Sequence, residues 1–185
     1  VKPLEVDNVV LGMGERYDVI VTTGSGSFPI VAIPEGKDDP AGEAILRTSS
    51  GTAPTVGSRP SELSGRSLRY SDLSATDAVR LRSQDPDRST TIRLTANSSG
   101  YSHGIDGKSF PDASPITVAE GERLRLRIVN ETMMFHPIHL HGHTFQMVGD
   151  GSARKDTVNV LPMTAIEIDV EADNPGQWIL HCHTT

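Results

Sequence analysis

Short runs of apolar and β-branched residues recur along the chain, each closed by Gly, Pro, Asp or Asn, and no stretch sustains the apolar period of an amphipathic helix. The pattern predicts an all-β chain. In the first part, strands are expected at Val6 to Leu11, Tyr17 to Thr23, Phe28 to Ile33 and Ala44 to Thr48, the second ending in the turn residues Gly24-Ser25-Gly26. From Ser49 to about Pro60 the composition shifts to Ser, Thr, Gly and Pro, which bury little surface and favour a connecting loop. Ser71 to Ala78 reads as a short helical turn that Ser71 or Ser74 would cap. Seven further strands are expected at Thr90 to Ala96, Ile116 to Val118, Arg123 to Asn130, Ile138 to Val148, Thr157 to Val160, Thr164 to Val170 and Gly176 to His183. Within the third of these, Leu124, Leu126 and Ile128 alternate with Arg123, Arg125 and Arg127, the period of a strand with one wet face. Such a series predicts a Greek-key β-sandwich. The expected division is the end of one sheet domain in residues 1–50, a linker in 51–88 and a second β domain in 89–185.

At 185 residues the chain has room for one large or two small domains. Its formal net charge of -7, with acidic and basic residues interspersed, argues against a nucleic-acid surface, which needs clustered Lys and Arg. No apolar run approaches the roughly 20 residues of a membrane span. The chain opens at Val1 without an initiator Met or the regions of a secretory signal, and it stops three residues after Cys182, so both ends read as cuts and neither reveals the compartment.

Cys182 is the single cysteine, so its thiol is buried, reactive or metal-bound. Its surroundings favour a metal. Six of the seven histidines fall into two groups: His136, His139, His141 and His143 in HPIHLHGH, and His181 and His183 around Cys182 in HCH. Alternate side chains of a strand project to opposite faces, so His181 and His183 point one way and Cys182 the other. The same alternation puts His139 and His141 on one face, able to meet His181 and His183 if the two strands pair, while His136, beyond Pro137, can turn toward Cys182. A thiolate with imidazoles suits an electron-transfer copper, and imidazoles without thiolate suit a copper that meets oxygen. The covalent run through Cys182 to His181 and His183 would then be a short route for electrons.

Blander readings apply elsewhere. A lone histidine is ordinarily a hydrogen-bonded core or surface residue, which is the reading for His103 and His143. Zinc, held tetrahedrally by Cys182 and histidines, would leave the remaining histidines unexplained. Met133, Met134 and Met147 could bind a cuprous ion but read as packing beside apolar strand residues. Lys155 and Asp156 either orient a metal-bound histidine or form a solvated turn. Trp178 reads as a core anchor, and Asp38, Asp39, Asp85 and Asp87 as solubilising loop charges.

HPIHLHGHTF, the following KDTV at Lys155 to Val158 and PGQWILHCH at Pro175 to His183 resemble the C-terminal copper motifs of multicopper oxidases, the family of laccases and bacterial cuprous oxidases. GERYDVIV, Gly14 to Val21, similarly resembles the latter part of that family's middle domain. The resemblance implies plastocyanin-like, that is cupredoxin-like, β-sandwich domains and an oxidoreductase at work in the periplasm or outside the cell. Carried over by residue, it implies that His136 and Cys182 ligate a type 1 copper, His139 a type 2 copper, and His141, His181 and His183 a type 3 pair, with no catalytic residue beyond these ligands. Electrons from a phenol, an aromatic amine or a cuprous ion would reduce O2 to water in four one-electron steps. The family's second type 1 histidine and axial residue follow the cysteine, beyond Thr185, and its N-terminal domain supplies the other trinuclear histidines. The chain by itself is therefore not expected to be an active oxidase. The rival from another class is a copper-binding or electron-carrier module without oxygen chemistry, for which His139, His141, His181 and His183 would be surplus.

Overall fold

The computed structural model describes residues 1–96, 103–149 and 151–184, and these form two compact units. The smaller unit, Val6–Val9 with Tyr17–Leu68, contains an antiparallel pair, β1 (Ser27–Ala32) and β2 (Gly42–Arg47), in which Phe28 lies opposite Leu46. The larger comprises Val1–Glu5, Val10–Arg16 and Arg69–Thr185. Residues 51–68 thus belong with the β pair, and residues 69–88 and 10–16 with the larger unit.

Among the described residues nine strands build the larger unit: β3 (Arg88–Ala96), β4 (His103–Ile105), β5 (Arg123–Asn130), β6 (His136–Leu140), β7 (Phe145–Val148), β8 (Arg154–Lys155), β9 (Thr157–Val160), β10 (Ala165–Glu171) and β11 (Leu180–Cys182). Six of them form one sheet in the order β4-β3-β5-β10-β7-β8, parallel only between β3 and β5, and three form a second in the order β11-β6-β9. Ile92, Leu94, Leu126, Ile128, Phe145, Met147, Ile168 and Val170 of the first sheet face Ile138, Val158 and Val160 of the second, making one dry core. This is a cupredoxin-like β-sandwich. The other side of the larger sheet carries a charge ladder in which the buried Asp169 sits opposite Arg125 and accepts two hydrogen bonds from its guanidinium, at 2.8 and 3.0 Å.

The expected bounds match β5 and β9 to the residue, and β3 and β10 within two. Other expectations need correction. Ile138 to Val148 is not one strand: a turn at His141 and Gly142, the latter at φ +69°, sends β6 and β7 into opposite sheets. Val6 to Leu11, Tyr17 to Thr23 and Ile116 to Val118 are not strands, since the only ladder contact among them is an isolated bridge at Asn8. Gly176 to His183 pairs only over β11. The helical turn expected from Ser71 is a single turn at Tyr70–Asp72.

Candidate metal centre

Strand register decides which side chains meet. In the antiparallel pairing of β6 with β11, His139 is opposite His181 and Ile138 opposite Cys182. Paired residues share a face, so His139, His141, His181 and His183 lie on one side, while His136, Ile138 and Cys182 lie on the other, toward the core. His136 needs no special turn at Pro137 to reach Cys182; its parity already places it there, two positions from Ile138.

On the core side, His136 Nδ1 is 3.5 Å from Cys182 Sγ. Thr184 adds a backbone N–H at 3.4 Å and a hydroxyl at 2.6 Å from the same sulfur. His136 is buried, and its Nε2 meets Thr132 Oγ1 at 2.7 Å. Burial, and then the His103 ring packed edge-on at 5.0 Å, hold the His136 pKa below the ordinary imidazole value.

On the other side the four imidazoles form a patch with ring centroids 4.8–5.7 Å apart. His139 Nδ1 lies 2.8 Å from the Asp156 carbonyl oxygen, an acceptor only, so the proton sits on Nδ1 and Nε2 is bare. His181 Nδ1 likewise meets the Cys182 carbonyl at 3.0 Å, leaving its Nε2 bare and 3.0 Å from His141 Nε2. The His183 pKa is lowered by burial and by the neighbouring His181, His139 and His141, against the pull of Asp156. A ring whose neutral form is favoured in this way offers the lone pair that a metal takes.

A second layer comes from residues 12–16. Arg16 grips Asp156 with two hydrogen bonds, at 2.8 and 2.7 Å, which holds the Asp156 pKa below the usual carboxylate value. Gly14, at φ +80°, passes so close to His183 that a Cβ there would lie 2.9 Å from Nε2. Glu15 is buried between the Gly12 amide at 2.9 Å, the Tyr70 hydroxyl at 2.6 Å and Lys155 Nζ at 3.0 Å.

Thioether and ring positions correct three expectations. Met147 belongs to the core, but Met133 and Met134 are exposed, at 81% and 45%. Trp178 is half-exposed and lies against Gly142 and edge-on to His143 at 6.0 Å, its Nε1 donating to the Asn174 carbonyl at 2.8 Å.

The histidine-rich segments and most of the larger unit fall inside a match to the multicopper oxidase family profile, which spans residues 65–185. The chain belongs to the multicopper oxidase family. It is 44% identical over 184 residues, 98% of its length and 36% of the relative's, to multicopper oxidase MmcO of Mycobacterium tuberculosis. Over 124 residues, 63% of this chain and 20% of the relative, it is 38% identical to copper resistance protein A of Escherichia coli. The chain thus spans about a third or less of the curated relatives it matches. The McoA multicopper oxidase of the hyperthermophile Aquifex aeolicus, at 21% identity, superimposes with a TM-score of 0.58 over 85% of this chain and 37% of that one, a likeness of fold.

The donor chemistry fits the family's copper. Thiolate with imidazole on one side and imidazoles alone on the other are the two classes of soft and borderline donors copper takes. Among the described residues no three His, Cys, Asp or Glu side chains close on a single point; the donors converge in twos, His136 with Cys182 and His141 with His181.

Sequence reasoning missed Thr132 and Arg16. Thr132 carries no signal of its own, being one hydroxyl in a loop. Arg16 stood in GERYDVIV, noticed only as a resemblance and counted with the preceding domain.

Proposed function

We propose that the chain is the C-terminal copper-binding part of an oxidase that takes single electrons from a small reducing substrate and passes them to O2. The first 50 residues, apart from the segments 1–5 and 10–16 that belong with the larger unit, would be the end of a middle cupredoxin-like domain, and 89–185 the C-terminal one. The observation that carries the reading is the β6–β11 register: one three-residue strand presents Cys182 to one face, beside His136 of β6, and His181 to the other, opposite His139.

Copper bound at these positions supplies one-electron transfer at a thiolate-ligated centre and reduction of O2 to water at a trinuclear one. The chain's residues hold the donors ready. His136 and Cys182 would hold type 1 copper, His139 type 2, and His141, His181 and His183 the type 3 pair. Asp156 keeps the His139 proton on Nδ1, and the Cys182 carbonyl does the same for His181. The backbone between His181 and Cys182 is the shortest link between the two faces. Pairs rather than closed sets of donors support a cluster completed by histidines of another domain, and a type 1 site completed by residues after Cys182. The isolated chain is then not expected to reduce O2. Phenols, aromatic amines and cuprous ions are all compatible donors, and the reading places the protein in the periplasm or outside the cell.

The test is the copper-loaded intact protein. An intense blue thiolate-to-copper band together with O2 uptake supports the oxidase; copper bound without O2 uptake would make it an electron carrier or binding module.

A further inference from the structure

We propose that Thr132 and Asn130 are positioning residues that fix which nitrogen of His136 faces Cys182. The inference rests on the copper reading for its consequence, but not for its geometry.

Asn130 is the last residue of β5 and is almost wholly buried, as are Thr132 and His136. The Asn130 amide orientation is set by its partners. Nδ2 lies 2.7, 3.1 and 3.0 Å from the carbonyl oxygens of Met134, Val160 and Leu161, so that end must be the donor. Oδ1 accepts the Thr132 backbone N–H at 2.9 Å and lies 2.9 Å from Thr132 Oγ1.

The Thr132 hydroxyl has one proton and two lone pairs. Its neighbours are two pure acceptors, Asn130 Oδ1 at 2.9 Å and the Met134 carbonyl at 3.2 Å, one pure donor, the Met134 N–H at 3.2 Å, and His136 Nε2 at 2.7 Å. Donating to His136 would leave oxygen lone pairs facing each other at 2.9 Å in a dry site. The hydroxyl proton therefore goes to an acceptor, Asn130 Oδ1 being the nearer, and His136 Nε2–H donates to Thr132. That assignment leaves Nδ1 bare, 3.5 Å from Cys182 Sγ, as a copper ligand must be. Two side chains, one at the end of β5 and one just after it, thus select the imidazole tautomer before any metal arrives.

The tautomer is read directly from the imidazole nitrogen signals of the metal-free intact protein. The proton is expected on His136 Nε2 in the wild type, and in a mixture of tautomers in Thr132→Val, which keeps the shape and loses the hydroxyl. With copper, Thr132→Val is expected to bind the thiolate-ligated ion roughly 10-fold to 100-fold more weakly, the usual effect of losing such an outer partner, and Thr132→Ser to recover it. A His136 proton found on Nδ1 in the wild type would overturn the proposal whatever the variants do, and so would a Thr132→Val protein with the wild-type tautomer and affinity. Absence of the blue band from wild-type protein would sink the copper reading instead, with the nitrogen spectrum still deciding the tautomer.

Discussion

At the scale of single residues, the site depends on positions that hold histidines more than on histidines alone. Gly14 is one: its φ of +80° disfavours any side chain, and a Cβ would press on the His183 ring from 2.9 Å. Gly14→Ala is expected to destabilise the protein by about 1–2 kcal/mol from backbone strain, measured by urea unfolding, and to reduce bound copper by displacing His183. Arg16 is another. Because its guanidinium lowers the Asp156 pKa in the folded state, the carboxylate's contribution is fully present above the ordinary value of 3.8 and is lost as pH falls through the lower folded value. Arg16→Met should therefore be less stable than wild type near neutrality, by on the order of 0.5 kcal/mol given how exposed Arg16 is, with the gap closing below the ordinary carboxyl pKa. A gap independent of pH in urea titrations would count against the pair. The metal-donor candidates themselves were legible, since HxxHxH and HCH have no packing rationale, and alternation alone sorts them onto two faces. Their supports were not. Gly14 and Arg16 approach the site through long-range folding, which leaves no local period to read, and Thr132, four residues before His136, is a single hydroxyl in an irregular connection.

At the scale of elements, the strands that were legible are those with at least one buried face. β5 alternates Leu124, Leu126 and Ile128 against arginines that face the acids of β10, although only Arg127 is exposed, Arg125 being partly covered beside Asp169 and Arg123 buried beside Glu171. β9 was found as a short β-branched run, and all four of its residues are buried. Tyr17 to Thr23 misled because β-branched residues fit a pleated, half-buried surface but do not create one; Val19, Ile20 and Val21 are exposed. The break between β6 and β7 was hidden because Gly142 alone marks the turn inside a run of strand-compatible residues. The core that locks the register is testable. Ile168 of β10 is fully buried against the second sheet, and Ile168→Ala should cost about 2–5 kcal/mol. Exposed Val56→Ala, in the smaller unit, should change stability by less than about 0.5 kcal/mol. Equal effects of the two in chemical denaturation would contradict the core as described.

At the scale of the whole molecule, the sandwich makes one edge strand serve two chemistries. β11 turns Cys182 into the covered side, where His136 waits, and His181 outward to the imidazole patch, so a single peptide link joins the two donor sets. The most direct test is the visible spectrum and O2 uptake of the copper-loaded intact protein beside its Cys182→Ser variant, with a phenolic donor. The account predicts an intense blue band and O2 uptake in the wild type, both lost in Cys182→Ser while copper at the imidazole face is retained. A blue band that survives Cys182→Ser, or O2 uptake undiminished by it, would contradict electron entry through Cys182.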